Sequence, residues 1–164
     1  MEKSIQNLKE AFAGESQANR RYLAFADKAE KEGYAQVAKL FRAAAEAETV
    51  HAMNHLKALK AINATADNLK EAIAGETAEF REMYPGMITA AQAEGHREAL
   101  RSFEFANEVE KVHAQLFQKA LETMAEKKVV DMFVCSVCGY TAEGEAPDTC
   151  PVCKALKKMF KRVE

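Results

Sequence analysis

Glu48 and His51 stand three residues apart, and so do Glu110 and His113. On a helix that spacing puts both side chains on one face. The surroundings repeat as well: "AETVHA" (47–52) and "VEKVHA" (109–114) share the Val before the His and the Ala after it. Glu15 and Glu76 form a second matched pair, in "AGESQA" (13–18) and "AGETAE" (74–79), and Glu79 lies on the helix face of Glu76. Oxygen ligands combined with two imidazoles suit iron or manganese. Separately, Cys135 and Cys138 ("CSVC") and Cys150 and Cys153 ("CPVC") make two C-x-x-C knuckles with eleven residues between them. Each loop aims two thiolates at one point, and together they make a tetrahedral four-sulfur site for zinc or a single iron. Spacing leaves that choice open. A free-thiol reading is disfavoured, because so short a segment needs a metal to stabilise its fold.

These groups require elements that carry them. Residues 1 to about 128 are rich in Ala, Glu, Lys, Leu and Arg and hold one proline, Pro85. That is helix-forming composition. Residues 131–164 hold the other two prolines and all four cysteines. The expected domains are therefore 1–130, helical, and 131–164, a small metal-bound β/loop segment. Glycines and one polar break divide the first part into helices at about 3–32, 34–61, 68–94 and 96–127. Gly33 and Gly95 punctuate the first and last turns, and Asp67 reads as an N-cap after "INATADN". "AEKEGY" (29–34) and "AQAEGH" (91–96) add another matched pair. The anchors stay in register within one inserted residue, which suggests a duplicated helical hairpin.

Counting from the turns sets the heights of the ligands. Glu15 lies 18 residues before Gly33 and Glu48 lies 15 after it. In an antiparallel pair these stand within about 5 Å of one level, at ~1.5 Å per residue. Glu76 and Glu79 lie 19 and 16 residues before Gly95, and Glu110 lies 15 after it. All four helices thus bring carboxylates to one height. Such convergence in a bundle interior would be repulsive and costly to desolvate without cations. One Glu from each of two helices and Glu-x-x-His from each of the others is the ligand pattern of ferritin-like di-iron proteins. His55 and His96 match no repeat position and read as surface residues. Tyr22 and Tyr84 follow Glu15 and Glu76 by seven and eight residues and can lie near the site. Pro85 removes a backbone hydrogen bond and bends its helix, and a bulge there would give Glu79 room to move.

The net charge of −2 argues against a nucleic-acid partner and against a polybasic membrane anchor. No apolar run approaches the ~20 residues of a membrane span. The N-terminal "MEKSIQNLKE" lacks the apolar stretch of a secretory signal, so a cytoplasmic location is expected. Four cysteines in two tight pairs read as a metal site rather than a disulfide framework. The basic run "KALKKMFKR" (154–162) reads as a solvated face, with docking of an acidic electron donor as the alternative.

With both constellations identified, the chain resembles rubrerythrin along essentially its full length. A ferritin-like all-α four-helix bundle comes first and a rubredoxin-like segment, "FVCSVCGYTAEGEAPDTCPVCKALKKMF", follows; "GETAEFREMYP" is similar to the family's third-helix motif. The resemblance implies a di-iron peroxidase that reduces hydrogen peroxide to water in oxidative-stress defence. It also tilts the four-cysteine metal toward iron, with zinc as the alternative. Electrons would come from rubredoxin or an NAD(P)H-linked reductase. Glu48 and Glu110 would bridge the irons, Glu15 would be terminal on one, and Glu76 and His113 would bind the other. His51 and Glu79 would exchange on the first iron, and Tyr22 and Tyr84 would be the neighbouring tyrosines. Rival readings are a ferroxidase, iron-storage or O₂-reducing di-iron protein, and a non-enzymatic helical scaffold with a zinc ribbon.

A ferritin-like chain also needs a crossover between its second and third helices. The return is of order 27 Å, and the linker "INATAD" reaches only about 20 Å. Either the bundle is plain up-down-up-down, or two chains exchange hairpins in a domain-swapped homodimer. The family fold favours the swap.

Overall fold

The computed structural model describes residues 2–164. Four helical rods precede a small sheet: α1 (Glu2–Lys31), α2 (Ala35–Ala58), a third rod made of α3 (Thr65–Ala78), a π-helical turn (Glu79–Met83) and α4 (Tyr84–Glu94), and α5 (Arg97–Thr123). The strands are β1 (Met132–Cys135), β2 (Thr141–Glu143) and β3 (Phe160–Val163). The chain forms two compact units, one ending at Asn63 and the other spanning Ala64–Glu164.

The first unit is the α1–α2 hairpin. α1 stops at Gly33, whose φ of +86° favours a residue without a β-carbon. The amide of Tyr34 donates to the Ala29 carbonyl and that of Gly33 to the Glu30 carbonyl, satisfying the last carbonyls of the helix. Small residues let the rods approach: Ala18, Ala26, Ala29, Ala38, Ala45 and Ala52 are its buried side chains. Asn19 fixes the register, its amide donating to the Ala45 carbonyl at 2.8 Å and to Thr49 Oγ1 at 2.9 Å. Tyr22, Phe25 and Phe41 cluster beside this seam, with ring centroids 5.5–6.4 Å apart.

Two boundaries differ from expectation. α2 ends at Ala58 rather than near 61, because Lys60 turns left-handed (φ +53°) and the amide of Ala61 folds back on the Leu56 carbonyl. The third rod starts at Thr65, and its N-cap is Ala64, not Asp67. The amides of Asp67 and Asn68 both bond the Ala64 carbonyl, so the turn has already closed. Asp67 instead sits in the first turn, where a carboxylate complements the helix dipole, and it accepts from Lys70 at 3.0 Å.

In the second unit the third rod packs on α5. Gly95 (φ +67°) ends α4 with the same pair of reverse bonds seen at Gly33, and His96 caps α5 by accepting from the Ala99 amide at 3.3 Å. The π turn begins at Glu79 itself and runs up to the residue before Tyr84–Pro85. A π turn is one extra residue in an α-helix. The repeat offset is 61 at Glu15/Glu76 and 62 at Gly33/Gly95 and Glu48/Glu110, so this turn is where the additional residue went. α5 ends at Thr123 with a short 3₁₀ turn to Glu126, close to the expected 127.

The strands form one antiparallel sheet in the order β2-β1-β3, with Phe133 opposite both Ala142 and Arg162. Tyr140 and Phe160 meet edge to face at 6.3 Å, and Asp131 accepts from Arg162 at 2.6 Å. Among the described residues no helix is long and apolar enough to cross a membrane.

Candidate metal centre

The α1–α2 hairpin brings Glu15, Glu48 and His51 together, each offering a ligand atom within 4.8 Å of the others. The third rod and α5 do the same with Glu76, Glu110 and His113. In both triads the Glu-x-x-His pair closes on itself: Glu48 Oε2 lies 2.8 Å from His51 Nδ1, and Glu110 Oε2 lies 2.8 Å from His113 Nδ1. Glu76 Oε1 is 3.7 Å from His113 Nδ1. The two triads therefore match in chemistry and in local geometry, as the repeat required.

The donor set fits a cation, and one atom shows it. Glu76 Oε2 is buried with no hydrogen-bond partner. Its acidic neighbour is Glu110, and the two can hydrogen-bond only if one of the carboxyls carries a proton and donates it. Burial, then hydrogen bonding to and repulsion from Glu110, push Glu76 up to about 7, and His113 only partly offsets this. A carboxylate whose charge is so disfavoured is one that a divalent ion would relieve. Burial and the charges of Glu110, Glu79 and Glu76 also raise the Tyr84 phenol, which packs on Phe103 at 6.3 Å. Within one chain the triads are not dry: the His51 ring is 54% exposed, the His113 ring 26%.

Glu79 stands apart. It is half-buried at the start of the π turn and, among the described residues, joins neither triad. Tyr22 contacts Phe25 and Phe41 rather than a triad carboxylate. His55 is half-buried and outside both triads; His96 is exposed. Two polar groups were missed by pattern reading. Asn107, one turn before Glu110, holds a second buried acceptor without a partner, and Thr141 lies 2.9 Å from His113 Nε2. Neither belongs to a repeat or a spaced motif, so only the packing of α5 exposes them.

The four cysteines converge as their spacing implied, all ligand atoms within 4.8 Å. Cys135 Sγ is 3.6 Å from Cys153 Sγ, and Cys138 Sγ is 3.6 Å from Cys150 Sγ. A tetrahedron with ~2.3 Å metal–sulfur bonds has edges of about 3.8 Å, so these thiols stand at metal-binding separation. The knuckles are built alike. Gly139 (φ +84°) donates to the Cys135 carbonyl at 2.9 Å, and Lys154 (φ +63°) to the Cys150 carbonyl at 3.0 Å. Burial raises the Cys135 thiol, but the amides of Val137 and Cys138 and the Cys153 thiol outweigh it and draw the group below its ordinary value. Burial pushes Cys138 and Cys153 up. Desolvated thiols in a cluster call for a cation that removes their protons.

Helical hairpins that carry Glu–Glu–His triads, followed by a four-thiolate centre, define a ferritin-like non-haem iron protein with a rubredoxin-like appendage. The rubrerythrin family model matches residues 6–121, and the model of the rubredoxin-like domain of rubrerythrin matches 133–161. The chain belongs to the rubrerythrin family. It is 38% identical to rubrerythrin-2 of Clostridium acetobutylicum over 93% of this chain and 92% of that one. It is 33% identical to nigerythrin of Nitratidesulfovibrio vulgaris over 96% and 85%. Solved structures of nigerythrin in partially reduced and fully reduced, all-ferrous states superpose with TM-scores of 0.61 at 32% identity, covering 97% of this chain and 86% of theirs. The fold class is therefore the expected one, a ferritin-like helical part followed by a small rubredoxin-like part. The chain carries the ligand groups expected for iron cofactors: Glu/His di-iron ligand groups, one in each unit, and a rubredoxin-like four-cysteine site.

Proposed function

We propose that this chain is a cytoplasmic non-haem di-iron peroxidase that reduces hydrogen peroxide to water, with 1–130 as its ferritin-like and 131–164 as its rubredoxin-like domain. The observation that carries this reading is the presence in one chain of two matched Glu–Glu–His triads and a four-thiolate site. An iron store has no use for an attached one-electron carrier.

When bound, the iron pair would supply the two electrons that, with two protons, convert H₂O₂ to two H₂O, and the four-cysteine site would hold a one-electron carrier supplied by rubredoxin or an NAD(P)H-linked reductase. Glu48 and Glu110 would bridge the pair, with Glu15 on one side and Glu76 and His113 on the other. His51 and Glu79 would alternate as ligands on the Glu15 side. Neutral imidazole suits the ferrous state and anionic carboxylate the ferric one. The π turn gives Glu79 backbone slack for that movement. Tyr22 and Tyr84 would offer phenol protons to ligand carboxylates or to peroxide.

The working form is a hairpin-swapped homodimer. α2 ends seven residues past His51 and α3 starts eleven before Glu76, so an intrachain return would span about 27 Å. The connection 59–64 reaches about 20 Å. Each centre would then take Glu15, Glu48 and His51 from one chain and Glu76, Glu79, Glu110 and His113 from its partner. Large apolar side chains left exposed on the first hairpin, among them Leu40, Val50 and Met53, support burial against a second copy.

The test is anaerobic stopped-flow mixing of the reduced protein with one equivalent of H₂O₂ per iron pair. Rapid return of the ferric absorption of both centres, faster than with O₂, is the expected result. Faster reoxidation by O₂ would favour an oxidase instead, and no fast reoxidation by either would defeat the assignment.

A further inference from the structure

His113 is held on both sides of its ring. Nδ1 faces Glu110 Oε2 at 2.8 Å and Glu76 Oε1 at 3.7 Å. Nε2 lies 2.9 Å from Thr141 Oγ1. Thr141 opens β2, three residues after Cys138. Its hydroxyl donates to the Gly139 carbonyl at 3.2 Å, which leaves the oxygen free to accept. A ring that gives its Nδ1 lone pair to a cation carries its proton on Nε2, and Thr141 Oγ1 stands where that proton points.

The segments on either side of this bond also meet α5. A β-carbon built at Gly139 would come within 3.9 Å of Val109, a buried residue one turn before His113. Further along α5, Lys119 pairs with Glu143, at the far end of β2. The cysteine loop thus lies against α5 on both sides of His113.

We propose that Thr141 is a positioning residue for the iron pair. Its hydroxyl sets the proton and ring orientation of His113, so that Nδ1 is presented to metal, and one hydrogen bond joins the four-cysteine loop to a di-iron ligand of the same chain. The inference rests on the di-iron reading. It differs from simple contact between the sheet and α5, because valine would preserve shape and strand propensity while losing the acceptor.

The experiment compares wild type, Thr141→Val and Thr141→Ser as full-length protein, with the visible spectrum of the four-cysteine iron as the check on folding. Fe²⁺ affinity of the carboxylate–histidine centre is measured by chelator competition. The His113 Nε2–H proton is followed by ¹⁵N NMR with diamagnetic Zn²⁺ in that centre. Thr141→Val should weaken metal binding by about 10-fold or more and expose the Nε2 proton to rapid solvent exchange, and Thr141→Ser should restore both. If Thr141→Val does not fold, Thr141→Ser must match wild type in both readings while Thr141→Ala departs from it. Unchanged affinity and proton protection in the valine variant would overturn the inference alone. A wild type that takes up metal only at its cysteines would overturn the di-iron reading and this inference with it.

Discussion

At the scale of single residues, Glu76 gives the fold a pH dependence. Its folded value is raised from an ordinary 4.5 to about 7, first by burial and then by Glu110. A raised acid binds its proton more tightly in the folded state. Its stabilising contribution is complete below about pH 4.5 and is lost as pH climbs through about 7. The metal-free protein should therefore melt at lower temperature near pH 7 than near pH 5, and Glu76→Gln should flatten that slope in thermal denaturation. Metal must also displace this proton. Fe²⁺ affinity should rise by up to about tenfold per pH unit below pH 7 and level off above it, read by chelator titration. The ligand residues were legible in the sequence because chemistry and spacing repeat: Glu48 with His51, Glu110 with His113, four cysteines in two knuckles. Thr141 was not legible. It lies 28 residues from His113 in a different kind of element, and nothing in its neighbours distinguishes it from an ordinary strand threonine.

At the scale of elements, the helix ends make the sharpest expectations. Lys60 occupies the left-handed position that Gly33 and Gly95 fill elsewhere, and a side chain there costs about 1–2 kcal/mol. Lys60→Gly should stabilise the protein by roughly 0.5–1 kcal/mol once the unfolded-state entropy of glycine is deducted, measured by urea denaturation. The π turn yields a second expectation. Deleting Arg81, an exposed residue inside it, should convert the third rod to continuous α-helix. Helix content by circular dichroism and bound iron should persist, while peroxide-driven reoxidation of the reduced protein slows about tenfold or more as Glu79 loses its slack. Composition and glycines disclosed four rods in the right order. The start of the third rod was misplaced because Asp67 resembles a cap, whereas the closing bond is accepted by the backbone carbonyl of Ala64, which carries no sequence signature. The proline announced a distortion, but its position at Glu79–Met83 is a matter of hydrogen-bond register that residue types do not encode.

At the scale of the whole molecule, each compact unit holds one triad, and the proposed di-iron centre would draw on one unit of each kind. If the hairpins exchange between chains, two defective chains can repair one another. A chain carrying Glu48→Ala and one carrying Glu110→Ala should each be inactive alone. Co-expressed and separated by distinct affinity tags, the heterodimer should hold one intact centre and recover about half of the wild-type peroxidase activity per dimer. A bundle closed within one chain would recover none. Sedimentation should show a dimer, and dilution towards monomer should release iron from the Glu/His groups before the four-cysteine iron.

The added residue in the third rod has one more consequence. Glu79 corresponds in the repeat to Ala18, which is buried in its hairpin. The two hairpins are near twins in ligand geometry, yet only one brings a spare acid and the loosened backbone to swing it. If the proposed iron pair draws one triad from each, its two metals would inherit a lopsided enclosure, so they should differ in Mössbauer signature and give up their electrons at unequal potentials.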